Sequence, residues 1–214
     1  MRTGSVAIAL LLLAGAWLGP LPDLARHSFA MHMTLHVGVV ALAAPLFAFA
    51  AAGTRFDPVR VMPNALAPIP ASMIELIVVW GWHLPILHDS ARRESGVFVL
   101  EQGMFLAAGL LLWAAAVGGN PEQRRLRAGA GIAALLFTFM HMTLLGALFA
   151  MSSRPLFDHG PAGGAPSAIA DQQLGGVIML LVGGAAYLLG GLWLTAAALR
   201  PHMPLSLGRR DSTV

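Results

Sequence analysis

Six long apolar runs, separated by short loops rich in proline, glycine and arginine, limit what this chain can fold into. Several of them approach or exceed the roughly 20 residues that an α-helix needs to cross a bilayer core about 30 Å thick. We therefore predict an all-α membrane protein, a bundle of about six transmembrane helices that forms a single transmembrane domain over residues 1–214. The predicted helices cover residues 5–19, 28–53, 66–87, 97–118, 128–151 and 173–199.

The composition narrows the classes of function. Hydrophobic residues make up 57% of the chain and charged residues only 11%, and no polar stretch is long enough for a soluble domain. The absence of cysteine excludes disulfides and thiolate metal sites. The sequence also shows no nucleophile with an adjacent base, no phosphate loop and no dinucleotide fingerprint, so we predict that the protein is not an enzyme.

The first apolar run, residues 5–19, follows Arg2 and has the length of a signal peptide's apolar region. No clean cleavage site with two small residues precedes the next run. We therefore predict that this first helix is retained.

The arginines predict the orientation in the membrane. If successive loops alternate between the two sides, nine arginines fall on the side of the N-terminus and four on the other. The positive-inside rule then places both termini in the cytoplasm, and this accounts for the basic character of the chain without nucleic-acid binding. The nine are Arg2, Arg55, Arg60, Arg124, Arg125, Arg127, Arg200, Arg209 and Arg210.

The same topology brings the polar residues of five helices to one level, in the outer leaflet. His32 and His36 are four residues apart, so they share a helical face with Cβ atoms about 6 Å apart. His83 and His141 fall at similar depths on two other helices. Ionisable side chains inside a membrane are functional candidates, because they are expensive to bury. Glu75, nearer the middle of its helix, is either a proton carrier or a carboxylic acid kept neutral by burial.

These side chains indicate a metal site. Two histidines at this spacing can share one ion, with further ligands supplied by neighbouring helices. Methionines flank the histidines, and thioethers are soft ligands that favour monovalent copper over zinc. The predicted metal ligands are His32, His36, His83, His141, Met33 and Met142.

Other polar residues at this level are predicted to support the ligands by hydrogen bonding. They are Glu101, Asp171, Gln172 and Gln173. Asp171 is also predicted to cap the N-terminus of the sixth helix. For His88 and His159, near or in loops, we expect packing or solvation. Paired glycines recur along the sixth helix, which we interpret as a helix-packing surface.

Three motifs at successive outer helix ends resemble the CtaG family of polytopic assembly factors for caa-type cytochrome c oxidases. They are His32-Met33-Thr34-Leu35-His36, Trp82-His83-Leu84-Pro85 and Asp171-Gln172-Gln173-Leu174-Gly175-Gly176. The chain departs from many members at Leu35, where they have glutamine, and at Gln102, where they have histidine.

The resemblance implies a chaperone-like role in maturing a haem-copper oxidase, through handling of copper for the oxidase subunits that would be its partners. It also implies that His32, His36, His83 and the string starting at Asp171 are the functional positions. The expected location is the bacterial inner membrane, with the polar site facing the periplasm.

Three alternatives stay open from the residues. The first is a haem-binding electron-transfer protein, with haem between two histidines on facing helices such as His36 and His141. The second is a copper permease, which needs a polar path through the inner half of the membrane, where Glu75 is nearly alone. The third is a scaffold whose polar layer only joins helix to helix.

Overall fold

The computed structural model describes residues 2–157 and 167–200, and these residues form helices and connecting turns with no strand among them. The prediction of an all-α membrane bundle is confirmed. The helices are α1 (Arg2–Leu18), α2 (Leu21–His27), α3 (Phe29–Ala51), α4 (Pro58–Val61), α5 (Pro68–Trp82), α6 (Pro85–Arg93), α7 (Ser95–Val117), α8 (Pro121–Ala150) and α9 (Ala168–Leu199).

Four helices, α3, α7, α8 and α9, are each long and apolar enough to cross a membrane. Two bent pairs raise the number to six if each pair counts as one span: α1 with α2 bends by 51°, and α5 with α6 bends by 70°. Both bends lie at prolines that begin the second helix of the pair or directly precede it, because proline cannot continue a preceding helix. The side of the membrane that each end faces stays a prediction.

The bend between α5 and α6 differs from the predicted continuous helix over residues 66–87. The helix stops at Trp82, His83 and Leu84 form the corner, and Pro85 starts α6. A segment expected to be loop is therefore a helix that folds back against the bundle.

Glycines let α8 and α9 approach closely. A Cβ on Gly176 would lie 2.4 Å from the backbone nitrogen of Ala150, and one on Gly146 would lie 2.8 Å from the nitrogen of Leu180. Farther along α9, a Cβ on Gly190 would lie 2.5 Å from the Trp113 ring. The packing interpretation of the paired glycines is confirmed, since any side chain here would push the helices apart.

Two helices contain a π-helical turn near mid-length. In α3 the turn covers Gly38–Ala43 and in α9 it covers Met179–Gly183, and the two turns contact each other. The turn in α3 lies directly before Pro45, and the helix continues past this proline to Ala51. Wider turns of this kind change which backbone carbonyls are free to accept other hydrogen bonds.

Candidate functional site

Four imidazoles meet at the end of the bundle where α3 begins. His32 and His36 come from α3, His83 from the corner after α5, and His88 from α6; we call them the histidine cluster. The ring centroid of His83 lies 5.5 Å from that of His32 and 5.1 Å from that of His36. The ring centroids of His32 and His88 lie 4.7 Å apart. His83 is 4% exposed and the other three are fully buried.

Local structure explains how these side chains meet. His32 and His36 are one turn apart on α3, so their rings stack almost in parallel, with centroids 6.4 Å apart and planes 15° apart. The 70° bend at His83 and Leu84 turns the chain back, so that His88, five residues later, approaches the same place.

Phenylalanine rings form the walls of the cluster. Their centroids lie between 4.2 and 5.8 Å from the nearest imidazole centroid. Because the walls are apolar, the nitrogen atoms inside are separated from water and from most hydrogen-bond partners. The wall residues are Phe29, Phe105, Phe149 and Phe157.

Several imidazole nitrogens in the cluster are buried without a hydrogen-bond partner. Nδ1 of His83 lies 2.5 Å from the Val79 carbonyl oxygen and donates to it, which leaves a lone pair on Nε2. That Nε2 atom, both ring nitrogens of His36 and Nε2 of His32 have no partner among residues 2–157 and 167–200. Buried polar groups are nearly always paired, so this group of atoms indicates a site for something else to bind.

An ion pair lies beside the histidines. Arg92 of α6 pairs with Glu101 of α7, and its Nη1 donates to Nδ1 of His32 at 2.9 Å. Since arginine only donates, Nδ1 of His32 accepts, and in the neutral ring the proton lies on Nε2. Gln102 donates from Nε2 to Glu101 at 3.1 Å, and Trp17 donates to Gln102 at 3.3 Å. Arg92 therefore connects Glu101 to His32, and the supporting role of Glu101 stays a prediction.

His32, His88 and Glu101 also form a group with metal-ligand spacing. Each offers one atom that lies within 4.8 Å of the atoms offered by the other two. The guanidinium of Arg92 bonds to two members of this group, so a fixed cation already lies against it.

Asp171 anchors the helix that carries His32 and His36. Its carboxylate accepts from the Ser28 hydroxyl at 2.7 Å and from the Phe29 backbone N–H at 2.6 Å, at the N-terminus of α3. The predicted cap of its own helix is provided instead by Ser167, whose hydroxyl accepts from the Ala170 N–H. Asp171 therefore positions the histidines through the backbone of α3.

The two glutamines after Asp171 hold the loop that follows α8. Gln172 accepts from the Leu156 N–H at 2.7 Å and donates to the Arg154 carbonyl at 3.3 Å. Gln173 donates to the Ser152 carbonyl at 3.2 Å. This loop carries Phe157, whose ring lies 4.3 Å from that of His88, so the glutamines hold one wall of the cluster in place.

A second group of buried polar side chains lies around the Val40 carbonyl, one helical turn beyond His36 on α3. Its members are Glu75, Trp113, Thr138 and Tyr187, and we call them, with the Val40 carbonyl, the Glu75 cluster. The Tyr187 hydroxyl hydrogen-bonds to Glu75, and the Thr138 hydroxyl lies beside the same carboxyl group. Trp113 donates to the Val40 carbonyl at 3.2 Å, and Tyr187 lies 3.4 Å from the same oxygen. Val40 belongs to the π-helical turn of α3.

Residues 1–201 match the model of a family described as cytochrome c oxidase caa3 assembly factor (Caa3_CtaG). The chain belongs to this family. The resemblance inferred from the three sequence motifs is thereby confirmed. Comparisons with curated proteins and with solved structures find no match. The Caa3_CtaG family and the apolar helices together establish a membrane protein associated with cytochrome c oxidase assembly.

In this Caa3_CtaG chain, His141 is not brought into the histidine cluster. Its ring packs on Phe137, with centroids 5.5 Å apart, and both its nitrogens lack a partner. It lines a cavity of about 620 Å³ with Leu180 of α9 and side chains of its own helix. Phe149, the α8 residue that contacts His83, comes eight residues later, about 12 Å farther along the helix. The predicted four-histidine set is corrected on this point.

Met33 and Met142 are fully buried, but the contacts they make are those of helix packing. The Met33 side chain would lie 3.1 Å from a Cβ on Gly175, and that of Met142 would lie 3.3 Å from one on Gly183. Both methionines therefore fill space left by the glycines of α9.

The sequence analysis missed two residues of the site. It expected packing or solvation for His88 and placed Arg92 in a loop. Both are buried, together with Ala91, on the inward face of α6. The spacing of three and four residues between them, after a proline that can begin a helix, was the available signal. His159 lies outside the described residues.

Proposed function

We propose that this protein is an assembly factor that binds monovalent copper in the histidine cluster and passes it to a subunit of a haem-copper cytochrome c oxidase. The observation that carries the proposal is the set of buried imidazole nitrogens on His32, His36 and His83 that have no hydrogen-bond partner in the part of the chain that the structure describes. A protein gains nothing in stability from leaving such atoms unpaired, so a ligand is the simplest reason for them.

His36 and His83 are the ligands that the geometry supports best. The Nδ1–H of His83 donates to the Val79 carbonyl, which fixes the ring and presents the Nε2 lone pair, as outer hydrogen bonds do for metal-bound histidines. Neither nitrogen of His36 is engaged. The ring centroids of the two lie 5.1 Å apart, close enough for one ion to contact both after small rotations.

The charge of the site favours a monovalent ion. Arg92 and Glu101 neutralise each other, and the remaining groups are neutral imidazoles and phenylalanine rings. The cost of moving an ion from water into such surroundings rises with the square of its charge. Soft Cu(I) is therefore accepted more readily than Zn²⁺ or Cu²⁺.

Arg92 acts as an internal competitor in this proposal. Its guanidinium holds Nδ1 of His32 and a carboxylate oxygen of Glu101. A copper ion can use these two groups only when Arg92 moves away, and the return of Arg92 favours release. A site with this competitor and without thiolates suits a protein that gives copper away.

The orientation belongs to the same proposal. Within the described residues, seven arginines lie towards the end of the bundle opposite the histidine cluster, against four on the other side. The positive-inside rule then places the histidine cluster towards the periplasm of a bacterial inner membrane.

Copper binding by the purified full chain tests the proposal. Cu(I) is titrated anaerobically in detergent against a chromophoric chelator, with wild type, His36→Ala and His83→Ala. One Cu(I) per chain is expected for wild type, with loss in both variants. The matched control is His141→Ala, which removes a buried imidazole outside the cluster and leaves binding unchanged.

A wild-type chain that does not compete for Cu(I), or equal loss in His141→Ala, would overturn the proposal. The absorption spectrum of the same preparations tests the haem alternative. The suggested axial pair of His36 and His141 has no support in the structure, because His36 contacts Phe105 and His83 whereas His141 packs on Phe137.

A further inference from the structure

A long apolar groove lies at the end of the bundle opposite the histidine cluster. It has a volume of about 930 Å³ and runs between α1, the second half of α3 and α7. The α1 wall extends from Arg2 to Leu13, and the α7 wall from Leu106 to Ala114. The twelve residues from Arg2 to Leu13 are separated by eleven rises of 1.5 Å, about 16 Å in all, which is about half of a 30 Å bilayer core, so the groove has the length of one leaflet.

Arg2 lines the polar end of this groove, and three further arginines lie at the adjacent loop after α3. Arg2 donates to the Ala52 carbonyl at 3.3 Å, and Arg60 donates to the carbonyls of Gly53 and Thr54 at 3.1 and 3.3 Å. Arg124 donates to the Gly119 carbonyl at 3.1 Å, and its guanidinium lies next to Gly53. Four cationic side chains, including Arg55 on the ring of Phe56, thus meet at the loop after α3.

No carboxylate neutralises these arginines within residues 2–157 and 167–200. Asp57 is the acidic residue of this loop, but it is 1% exposed and accepts from the backbone N–H groups of Gly53, Val59 and Gly119. The ion pair between Arg92 and Glu101 belongs to the opposite end of the bundle. The groove therefore combines an apolar floor with guanidinium groups at and beside its polar end that form no ion pair within the described residues, and guanidinium groups bind phosphate well.

We propose that this groove binds one anionic phospholipid, with an acyl chain between α1 and α7 and the headgroup phosphate at Arg2 and Arg60. The charge at this end of the groove selects this occupant. A second copy of the chain would bring the same four positive charges against it, and a zwitterionic lipid would gain less from them. Phe56, 72% exposed beside Arg55, is an aromatic side chain at the level where headgroups begin.

Native mass spectrometry of the full chain in neutral detergent tests this site. Phosphatidylglycerol and phosphatidylcholine with identical acyl chains are added separately. Wild type is expected to retain one phosphatidylglycerol more strongly than phosphatidylcholine. In Arg2→Gln/Arg60→Gln, phosphatidylglycerol retention falls roughly fivefold for each arginine removed, and phosphatidylcholine retention does not change.

Two further variants distinguish the contribution of the headgroup to lipid binding from that of the groove. Arg125→Gln removes an exposed charge at the same end of the bundle but outside the groove, and leaves phosphatidylglycerol retention unchanged. Ala107→Phe fills the groove without touching an arginine, since Ala107 is exposed in its wall, and abolishes the preference for phosphatidylglycerol. Unfolding temperatures of both variants are measured, and a folded Ala107→Phe protein is required for its result to count.

Equal retention of the two lipids by wild type would overturn the proposal, as would an Arg125→Gln effect equal to that of the double variant. Binding of glycerol phosphate as tight as that of the whole lipid would show a phosphate site without a role for the groove. A wild-type mass of two chains that Ala107→Phe converts to one chain would assign the groove to a second copy.

Discussion

The histidine cluster and the Glu75 cluster lie one turn apart along α3, yet they differ in how many of their polar atoms are hydrogen-bonded. In the Glu75 cluster, hydrogen bonds connect the carboxyl group, the Tyr187 hydroxyl, the Trp113 N–H and the Val40 carbonyl. Within the described residues, only Oε2 of Glu75 and the Thr138 hydroxyl of this cluster lack a partner. In the histidine cluster, nitrogens of three imidazoles have no hydrogen-bond partner among the described residues. Because both regions are buried, depth in the membrane alone does not distinguish a binding site from a structural hydrogen-bond network.

The difference follows from the side chains that each region assembles. The Glu75 cluster mixes donors with acceptors from five helices, so most of its polar atoms can hydrogen-bond to one another. The histidine cluster assembles like groups between phenylalanine rings, where few complementary partners exist. Each cluster therefore predicts a different response to the same kind of substitution.

Removing Arg92 should have the largest effect. Arg92→Ala leaves Glu101 buried without its cation, which is expected to cost about 3–5 kcal/mol of stability. Thermal unfolding in detergent measures it. The double variant Arg92→Leu/Glu101→Leu should recover most of this loss, since it removes both charges. If the double variant is no more stable than Arg92→Ala, the ion pair is not what Arg92 contributes to the cluster.

His36→Leu should separate binding from stability. We expect Cu(I) affinity to fall at least about 100-fold, because a ligand is lost. The unfolding temperature should stay the same or rise, since two unpaired buried nitrogens are replaced by apolar atoms of similar volume. A large loss of stability in this variant would make the histidine cluster as structural as the Glu75 cluster.

Glu75→Leu should give the opposite result. The carboxyl partner of Tyr187 is lost, so stability should fall by about 1–3 kcal/mol, while Cu(I) affinity is retained. Glu75→Gln, which keeps an acceptor for the Tyr187 hydroxyl, serves as the matched control and should fall less. Loss of Cu(I) binding in Glu75→Leu at full stability would join the two clusters into one functional unit and would revive the permease alternative.

Asp171→Ala should have the smallest effect. It removes the acceptor at the N-terminus of α3, worth about 0.5–2 kcal/mol for a helix cap. Cu(I) affinity should weaken only modestly, because both histidines stay on α3. Asp171→Asn keeps an acceptor oxygen and should retain most of the stability. A complete loss of Cu(I) binding in a folded Asp171→Ala protein would instead assign Asp171 a direct contact with the ion.

The sequence predicts the depth of a residue in the membrane better than the direction in which it points. The apolar runs identify the spans, and counting residues along them brings His32, His36 and His83 to one level, as the structure shows. The direction in which a side chain points around the helix axis depends on how the neighbouring helices pack. His141 shows this limit, since it lies on α8 but faces Phe137 and Leu180 rather than the cluster.

The sequence did not predict that α6 brings His88 and Arg92 to the histidine cluster, and the reason is a different one. Pro85 can end a transmembrane helix or begin a new one, and the sequence does not decide between them. The structure shows a new helix folded back by 70°, which buries His88 and Arg92 beside His32. A short amphipathic helix after a proline can therefore supply buried polar side chains to a site, as the membrane-spanning helices do.

The π-helical turn between His36 and Pro45 makes the length of α3 as important as its composition. Each residue of a regular α-helix rotates the chain by about 100°, so a regular helix with the same number of residues would swing one half of α3 around the other, whereas the wider turn over Gly38–Ala43 absorbs the extra residue. The Val40 carbonyl could then no longer meet Trp113 while both imidazoles still faced His83. A further residue inserted in this short stretch should therefore be tolerated less well than an exchange of one apolar side chain for another.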